Sequence, residues 1–186
     1  MILKGITDSK ILLVSYCDEI DNQALKVKYL KWLNDMEVVS PILSEVLMNP
    51  NKGLKIIDES FERFTRADSL GFFIKYMPTN RYIGTIKLDK ISNSSGELGI
   101  MIGEKKMWGQ GLGLLSCLTL LRYAFEDLKL NRVFGGTDEN NLKMQKLFLK
   151  AGFTEEGRLR EANYFNGHYT DSFRYSILKK EWDEMQ

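Results

Sequence analysis

The stretch Glu97-Leu98-Gly99-Ile100-Met101-Ile102-Gly103 leads through Glu104 to Trp108 into Gly109-Gln110-Gly111-Leu112-Gly113, and from there into Leu114 to Leu128. It reads as a strand, a glycine loop and a helix. Leu114, Leu118, Leu121, Phe125 and Leu128 recur at spacings of four and three, one apolar stripe at helical period. Three alternate glycines stand at the mouth of that helix, where the first-turn N–H groups have no intrahelical partners. Glycines let the chain turn tightly and let a ligand approach the backbone, while free N–H groups and the helix dipole favour an anion. Two readings are open at this point: a phosphate-binding loop, or a plain strand-to-helix turn.

Two familiar phosphate loops are excluded by the residues themselves. A magnesium-nucleotide loop ends in Gly-Lys-Ser/Thr, whereas Gly113 is followed by Leu114 and Leu115. A dinucleotide fingerprint counted from Gly109 and Gly111 needs a third small residue at position 114, which is leucine.

The wider pattern favours the first of the two. Trp108-Gly-Gln-Gly-Leu-Gly113 resembles the acyl-CoA pyrophosphate loop of the GNAT N-acetyltransferase superfamily, Gln/Arg-x-x-Gly-x-Gly/Ala. Gly111 and Gly113 match its two small positions, and Trp108 stands where the Gln or Arg would be. Asn141 to Phe153, ending in Gly-Phe, is similar to the superfamily's second signature. Gly157-Arg-Leu-Arg-Glu161, Asn166-Gly167, Asp171 and Leu178-Lys-Lys-Glu-Trp182 are similar to the tail of the RimJ/RimL-like branch, which acetylates ribosomal-protein N-termini.

The resemblance implies an α+β fold with a mixed, mostly antiparallel sheet and helices on both faces, the whole chain from 1 to 186 forming one domain. It implies acetyl-CoA as acyl donor, no metal, and a small amine, amino sugar or protein N-terminus as acceptor. Superfamily members are monomers or dimers. By the resemblance, the pyrophosphate lies on Trp108, Gly109, Gln110, Gly111, Leu112 and Gly113, and the pantetheine arm bonds to the backbone at Ile100, Met101 and Ile102. Asn141 and Phe148 complete the coenzyme contacts, and Trp32 to Glu45 lies where superfamily members form the acceptor pocket.

Composition agrees with a globular domain. At 186 residues the chain is long enough for a substantial core. Twenty-six basic against 25 acidic residues argue against a general nucleic-acid or membrane binder. No apolar run approaches the ~20 residues of a membrane span, and no signal-peptide pattern opens the chain. Cys17 and Cys117 have no metal-like spacing and suggest no disulfide framework, so a reducing cytoplasm is the natural expectation.

Elsewhere, Lys10 to Cys17 reads as a strand, and Asp21 or Asn22 caps a helix carrying Leu25, Tyr29, Trp32 and Leu33. Asn34-Asp35, Pro41 and Asn49-Pro50-Asn51 punctuate the chain before a helix carrying Leu54, Ile57, Phe61 and Phe64. Gly71–Met77 and Tyr82–Ile91 form a hairpin, and Ser92 to Gly96 is a turn. Asn131 to Thr137 is a strand with little side-chain volume at Gly135-Gly136. Asn141 caps a helix with Met144, Phe148 and Ala151 on one face. Phe153–Glu161 and Thr170–Leu178 are strands joined through Asn166-Gly167.

Acetyl transfer to an amine requires alignment, a neutral nucleophile and a stabilised oxyanion. Glu97, opening the strand before the loop, is the first candidate to take the ammonium proton; an exposed carboxylate beside a turn is the alternative. His168, the only histidine, lies one place past an Asn-Gly turn, and Glu161, Tyr164 and Asp171 are candidates to bind a cationic acceptor. Trp32 is either pocket or core, and Asn141 either a coenzyme contact or a cap. Phe148 departs from the superfamily's frequent tyrosine and has no proton to give a leaving thiolate. That departure motivates a second reading, a catalytically silent acyl-CoA-binding or interaction module.

Overall fold

The computed structural model describes residues 2–4, 10–42, 53–63, 66–165 and 167–185. Among these residues the strands are β1 (Ile2–Lys4), β2 (Ile11–Ser15), β3 (Leu70–Tyr76), β4 (Arg81–Asp89), β5 (Ser95–Ile102), β6 (Arg132–Asp138), β7 (Thr154–Phe165) and β8 (His168–Leu178). They form one sheet in the order β1-β2-β3-β4-β5-β6-β8-β7. Every pairing is antiparallel except β5 with β6.

Alternation along the central strands divides the core in two. Phe72 and Ile74 of β3 point to one face and Phe73 to the other; on β5, Leu98, Ile100 and Ile102 oppose Met101 in the same way. The first face is covered by α4 (Leu112–Arg122), α5 (Leu142–Lys150) and α6 (Lys179–Glu184). The second is covered by α1 (Gln23–Leu33), α2 (Met36–Val39) and α3 (Leu54–Arg63). Beneath these three, Tyr16 stacks on Phe73 at 4.3 Å and on Phe61 at 4.9 Å, and Tyr29 meets Phe73 edge-on at 5.7 Å. Each such ring contact adds about 0.5–1.5 kcal/mol to the burial of the rings themselves.

Helix starts follow the caps written in the sequence. Asn22, and not Asp21, caps α1 by accepting from the Leu25 N–H at 3.0 Å. Asp35 does more than end that helix: it caps α2 by accepting from the Glu37 N–H at 3.1 Å, a short helix that the turn reading omits. Of the stripe read in α4, Leu121 is fully buried, whereas Leu114, Leu118 and Leu128 are only partly so. Cys117, Leu120 and Ala124 take the rest of the inner face. The helix ends in a π turn over Tyr123–Asp127, whose extra residue rotates the last part of the stripe while keeping Phe125 buried. Ser95 and Gly96 belong to β5, so the turn before it is tighter than expected: Ser92 donates its N–H to the Ser95 carbonyl at 2.9 Å. Phe64, Asn49-Pro50-Asn51 and Asn166 lie outside the described residues.

At the far edge Arg132 reaches across β8 to Glu156, Nη1 to Oε1 at 2.6 Å and Nη2 to Oε2 at 2.5 Å, and Nη1 also donates to Ser176 Oγ at 2.7 Å. The guanidinium, helped by Ser176, pulls the Glu156 carboxyl down from 4.5 to about 2. A depressed acid stabilises the fold fully above its unfolded value and loses that contribution as pH falls through the folded one. Stability should therefore drop between pH 4.5 and 2. Glu156→Gln should flatten that drop by a few degrees when melting temperatures at pH 6 and pH 3 are compared, since exposed pairs contribute little. Equal slopes for the two proteins would refute the assignment.

Candidate active site

β5 and β6 are in parallel register only where Ser95–Glu97 meets Arg132–Phe134. Beyond that point the ladder stops while both strands run on, β5 to Ile102 and β6 to Asp138. Between them opens a cavity of about 210 Å³, walled by Leu98, Gly99 and Ile100 on one side and by Gly136, Thr137 and Asp138 on the other.

The main chain of β5 determines which groups face this gap. Gly103 donates its N–H to the Ile83 carbonyl at 2.9 Å. By antiparallel alternation the N–H and C=O of Met101 then face β4, and those of Leu98, Ile100 and Ile102 face the gap. The Ile102 carbonyl is already occupied, accepting the Trp108 indole N–H at 2.7 Å. Of the three positions expected to meet the pantetheine arm, Ile100 therefore keeps its main chain open to the cavity. Met101 does not, because its amide is turned into the sheet.

The loop after β5 forms an open cradle. Gly109 and Gly111 both have φ of +76°, a region L side chains rarely adopt, and a Cβ at either would meet no atom within 4 Å. Gly111 is the N-cap of α4 and brings no capping side chain; the first N–H bonded back to it is that of Leu115, at 3.0 Å. The N–H groups of Leu112, Gly113 and Leu114 are thus those a helix start leaves without intrahelical acceptors. Gly113 has a second reason to be glycine, since its Cβ would lie 3.2 Å from Leu147 Cδ1 in the seam between α4 and α5. Trp108 anchors the loop through its indole, with Lys143 Nζ 4.3 Å over its ring. The Gln110 amide turns back to the Lys106 carbonyl at 2.8 Å.

Asn141 lines the cavity and also caps α5. Its Oδ1 accepts from the Met144 N–H at 3.2 Å, and its Nδ2 donates to the Pro41 carbonyl at 3.1 Å, tying α5 to the turn Ser40–Ile42 across the cleft. Pro41 and Ile42 are the part of the expected acceptor segment that reaches the cavity; residues 43–45 lie outside the described residues. Trp32 is core: a Cβ at Gly103 would stand 2.2 Å from its ring, and its indole donates to Glu104 Oε1 at 3.3 Å.

Phe148 requires a correction. Its ring is fully buried, stacked on Tyr175 at 5.1 Å and packed on Phe153 at 4.9 Å, with Cζ over Gly135. It belongs to the core under the sheet and does not line the cavity.

Glu97 sits where β5 and β6 part, on the same face as Arg174. Its Oε2 pairs with Lys90 Nζ at 2.6 Å, and its Oε1 lies 3.8 Å from Arg174 Nη1. His168 is exposed at the start of β8, and Tyr164 and Tyr169 are exposed with their rings 4.9 Å apart. Asp171 accepts from the Glu161 N–H at 2.7 Å and from Arg158, contacts that hold its carboxyl below the usual range. None of these five candidates, Glu97, Glu161, Tyr164, His168 and Asp171, lines the cavity.

Asp138, Asn163, Ser172 and Arg174 do line it, and sequence reasoning missed all four. For Asp138, burial alone would raise the carboxyl, but hydrogen bonds from the Thr170 hydroxyl, the Asn140 N–H and the Asn163 amide outweigh it and hold the acid below its ordinary value. The available signal was Gly135-Gly136. A Cβ at Gly135 would meet Phe148 at 2.6 Å, and one at Gly136 would meet Arg174 Nη1 at 2.6 Å, so the doublet admits a large side chain on each face of β6.

Among the described residues no three His, Cys, Asp or Glu side chains gather as metal ligands, and no helix is long and apolar enough to cross a membrane. Residues 12–154 match the family model described as an acetyltransferase (GNAT) domain. The protein named "Putative ribosomal N-acetyltransferase YdaF" of Bacillus subtilis is 40% identical over 96 residues, 52% of this chain and 51% of that protein, so this chain spans about half the length of that relative. Spermidine N(1)-acetyltransferase of Vibrio cholerae is 25% identical over 162 residues, 86% of this chain and 93% of that one. The crystal structure of spermidine N-acetyltransferase from Vibrio cholerae in complex with CoA and spermine has the same fold, with a TM-score of 0.79 at 23% identity over 94% of this chain and 99% of that one. Because the family match runs from β2 into β7, it takes in both diverging strands and the loop between β5 and α4, and the chain belongs to the GNAT acetyltransferase family.

Proposed function

We propose that the protein transfers an acetyl group from acetyl-CoA to a primary amine by direct attack, both substrates being bound together. The observation that carries this is the set of N–H groups of Leu112, Gly113 and Leu114 at a helix start, behind the uncrowded glycines Gly109 and Gly111 and beside a gap in the sheet. The pyrophosphate sits on those N–H groups, where the helix dipole favours negative charge. The acyl end enters the gap, where the Ile100 N–H is placed to polarise the thioester carbonyl. The amine nitrogen attacks the carbonyl carbon, the C–S bond breaks, and the thiolate leaves. Phe148 offers it no proton, and a CoA thiol is a fair leaving group near neutral pH. The acceptor is a small amine, an amino sugar or a protein N-terminus, classes that include those named for the relatives. Calorimetry with acetyl-CoA and with CoA is the test: absence of binding by both ends this reading. CoA binding without CoA release on any amine would favour the silent binding module that Phe148 motivates.

Glu97 is the proposed acceptor of the ammonium proton, through a water. It lies on the face of the sheet that carries Arg174, and among the described residues its Oε1 accepts no hydrogen bond, Arg174 Nη1 standing 3.8 Å away. Asp138, the carboxylate in the cavity wall, already accepts hydrogen bonds on both oxygens. Glu97→Gln should lower kcat/KM about a hundredfold or more with acetyl-CoA affinity unchanged, and an amine of low pKa should be far less sensitive than one of high pKa. A wild-type rate for Glu97→Gln on a high-pKa amine would remove Glu97 from the role.

A further inference from the structure

Ser172 and Arg174 lie two residues apart on β8, so their side chains share one face, and both line the cavity between β5 and β6. The Ser172 side chain is buried, only 7% of the residue being exposed, and its hydroxyl has no hydrogen-bond partner among the described residues. A buried hydroxyl left without a partner is costly, which marks the place of a group that arrives with the substrate. Arg174 also has donors to spare, although its side chain is 44% exposed and so reaches solvent as well as the cavity. Its guanidinium lies over β6 because Gly136 leaves the space; a Cβ there would stand 2.6 Å from Nη1 and 3.2 Å from Cζ. Its one charged neighbour among the described residues, Glu97, is 3.8 Å away, too far for a hydrogen bond. A planar fork of N–H donors held in this way matches a carboxylate through two parallel hydrogen bonds.

We propose that the acceptor is an amine that also carries a carboxylate, the carboxylate held by Arg174 and Ser172 while the amine faces Glu97. This rests on the transferase reading above. The charges suit both ends of such a molecule: the guanidinium in the cavity wall for the acid, and for the ammonium Glu97, which lies just beyond the lining, 3.8 Å from Arg174, with its other oxygen on Lys90. A polyamine fits poorly, because a second ammonium would meet Arg174 and the Asp138 oxygens are already filled by Thr170, Asn163 and Asn140. A phosphate dianion would be repelled by Glu97 and Asp138, so the planar singly charged anion is the better match.

The test compares α- and ω-amino acids with their own amides, and with spermidine, as acceptors for the purified protein. KM is the readout, because removing the carboxylate charge also makes the amine less basic. The expected result is at least one acid with a KM about tenfold or more below that of its amide. Arg174→Gln should erase that difference, raising KM for the acid about tenfold more than for its amide, with calorimetry on acetyl-CoA reporting any loss of donor binding separately. Ser172→Ala, a small change that serves if Arg174→Gln does not fold, should raise KM for the acid alone. Spermidine or the amides performing as well as every acid would overturn the proposal, as would an unchanged preference in both variants. If acetyl-CoA binds and no acid is preferred, this inference falls alone; if acetyl-CoA does not bind, the transferase reading falls first.

Discussion

Gly111→Asp is expected to weaken acetyl-CoA binding at least about a hundredfold in calorimetry, close to 2.7 kcal/mol. Three effects act in the same direction. The φ of +76° at position 111 is a left-handed conformation that costs a residue with a Cβ about 1–2 kcal/mol, although aspartate tolerates it better than most. The new carboxylate stands in front of the first turn of α4, where it repels a pyrophosphate. At an N-cap it also accepts hydrogen bonds from the N–H groups of the next residues, and so fills the cradle with its own oxygen. The same capping supports the helix, so the melting temperature should change by only a few degrees. A variant that melts like the wild type yet binds acetyl-CoA normally would show that these N–H groups do not hold the coenzyme. Gly109→Asp is a useful partner experiment, since its φ is also +76° but it caps no helix, and it should lose binding through charge and strain alone.

The second large effect concerns stability. Phe148→Ala should destabilise the fold by about 3–5 kcal/mol, read as a drop in the denaturant midpoint. The ring is wholly buried against Tyr175, Phe153 and Gly135, so truncation leaves a cavity beneath β6. Phe148→Tyr is the more telling change. Because Cζ already lies over Gly135, with the Leu98 carbonyl 3.2 Å from that glycine's Cβ position, a hydroxyl at Cζ would press on the strand. It should destabilise by about 1–3 kcal/mol without raising kcat, since overpacking strains a filled core. A faster enzyme on Phe148→Tyr would mean that the ring can leave the core and reach the leaving thiolate.

The local features of this molecule were legible in the sequence. Caps, the alternate glycines and the helical stripes each depend on neighbours within a few residues, and Asn22, Asn141 and Gly111 all stand at helix starts in the structure. The mixed, mostly antiparallel sheet with helices on both faces followed from the family resemblance, but the short edge strand Ile2–Lys4 that makes it eight-stranded was not read. What escaped notice depended on strands distant in sequence. Arg174 is 38 positions from Gly136 yet pairs directly with it, and nothing near either residue indicates that one makes room for the other. The gap after Glu97 is equally invisible, because it is defined by where two strands cease to pair. Phe148 was assigned to the coenzyme from the resemblance alone; the helix pattern that put it on a face with Met144 and Ala151 pointed to burial, and the glycine it packs on lies on another strand. The π turn at Tyr123–Asp127 escaped because a regular period of 3.6 fits nearly as well across so short a span.

The indole of Trp108 forms a brace between the end of β5 and the loop, and this affects the kinetics of ligand capture. With its N–H on the Ile102 carbonyl and Lys143 stacked over its outer face, the loop is already held in shape before any coenzyme arrives. A loop ordered in advance surrenders little conformational freedom on association, so more of the contact energy remains as affinity. For the acetyl-CoA proposed above, capture would then be governed by diffusional encounter, with Lys143 beside the loop to attract a polyanion, while escape would depend on breaking the N–H contacts one by one. The same brace fixes the distance from the glycine loop to the strand gap, so on the proposed reading the span available to the donor is set by one indole–carbonyl bond.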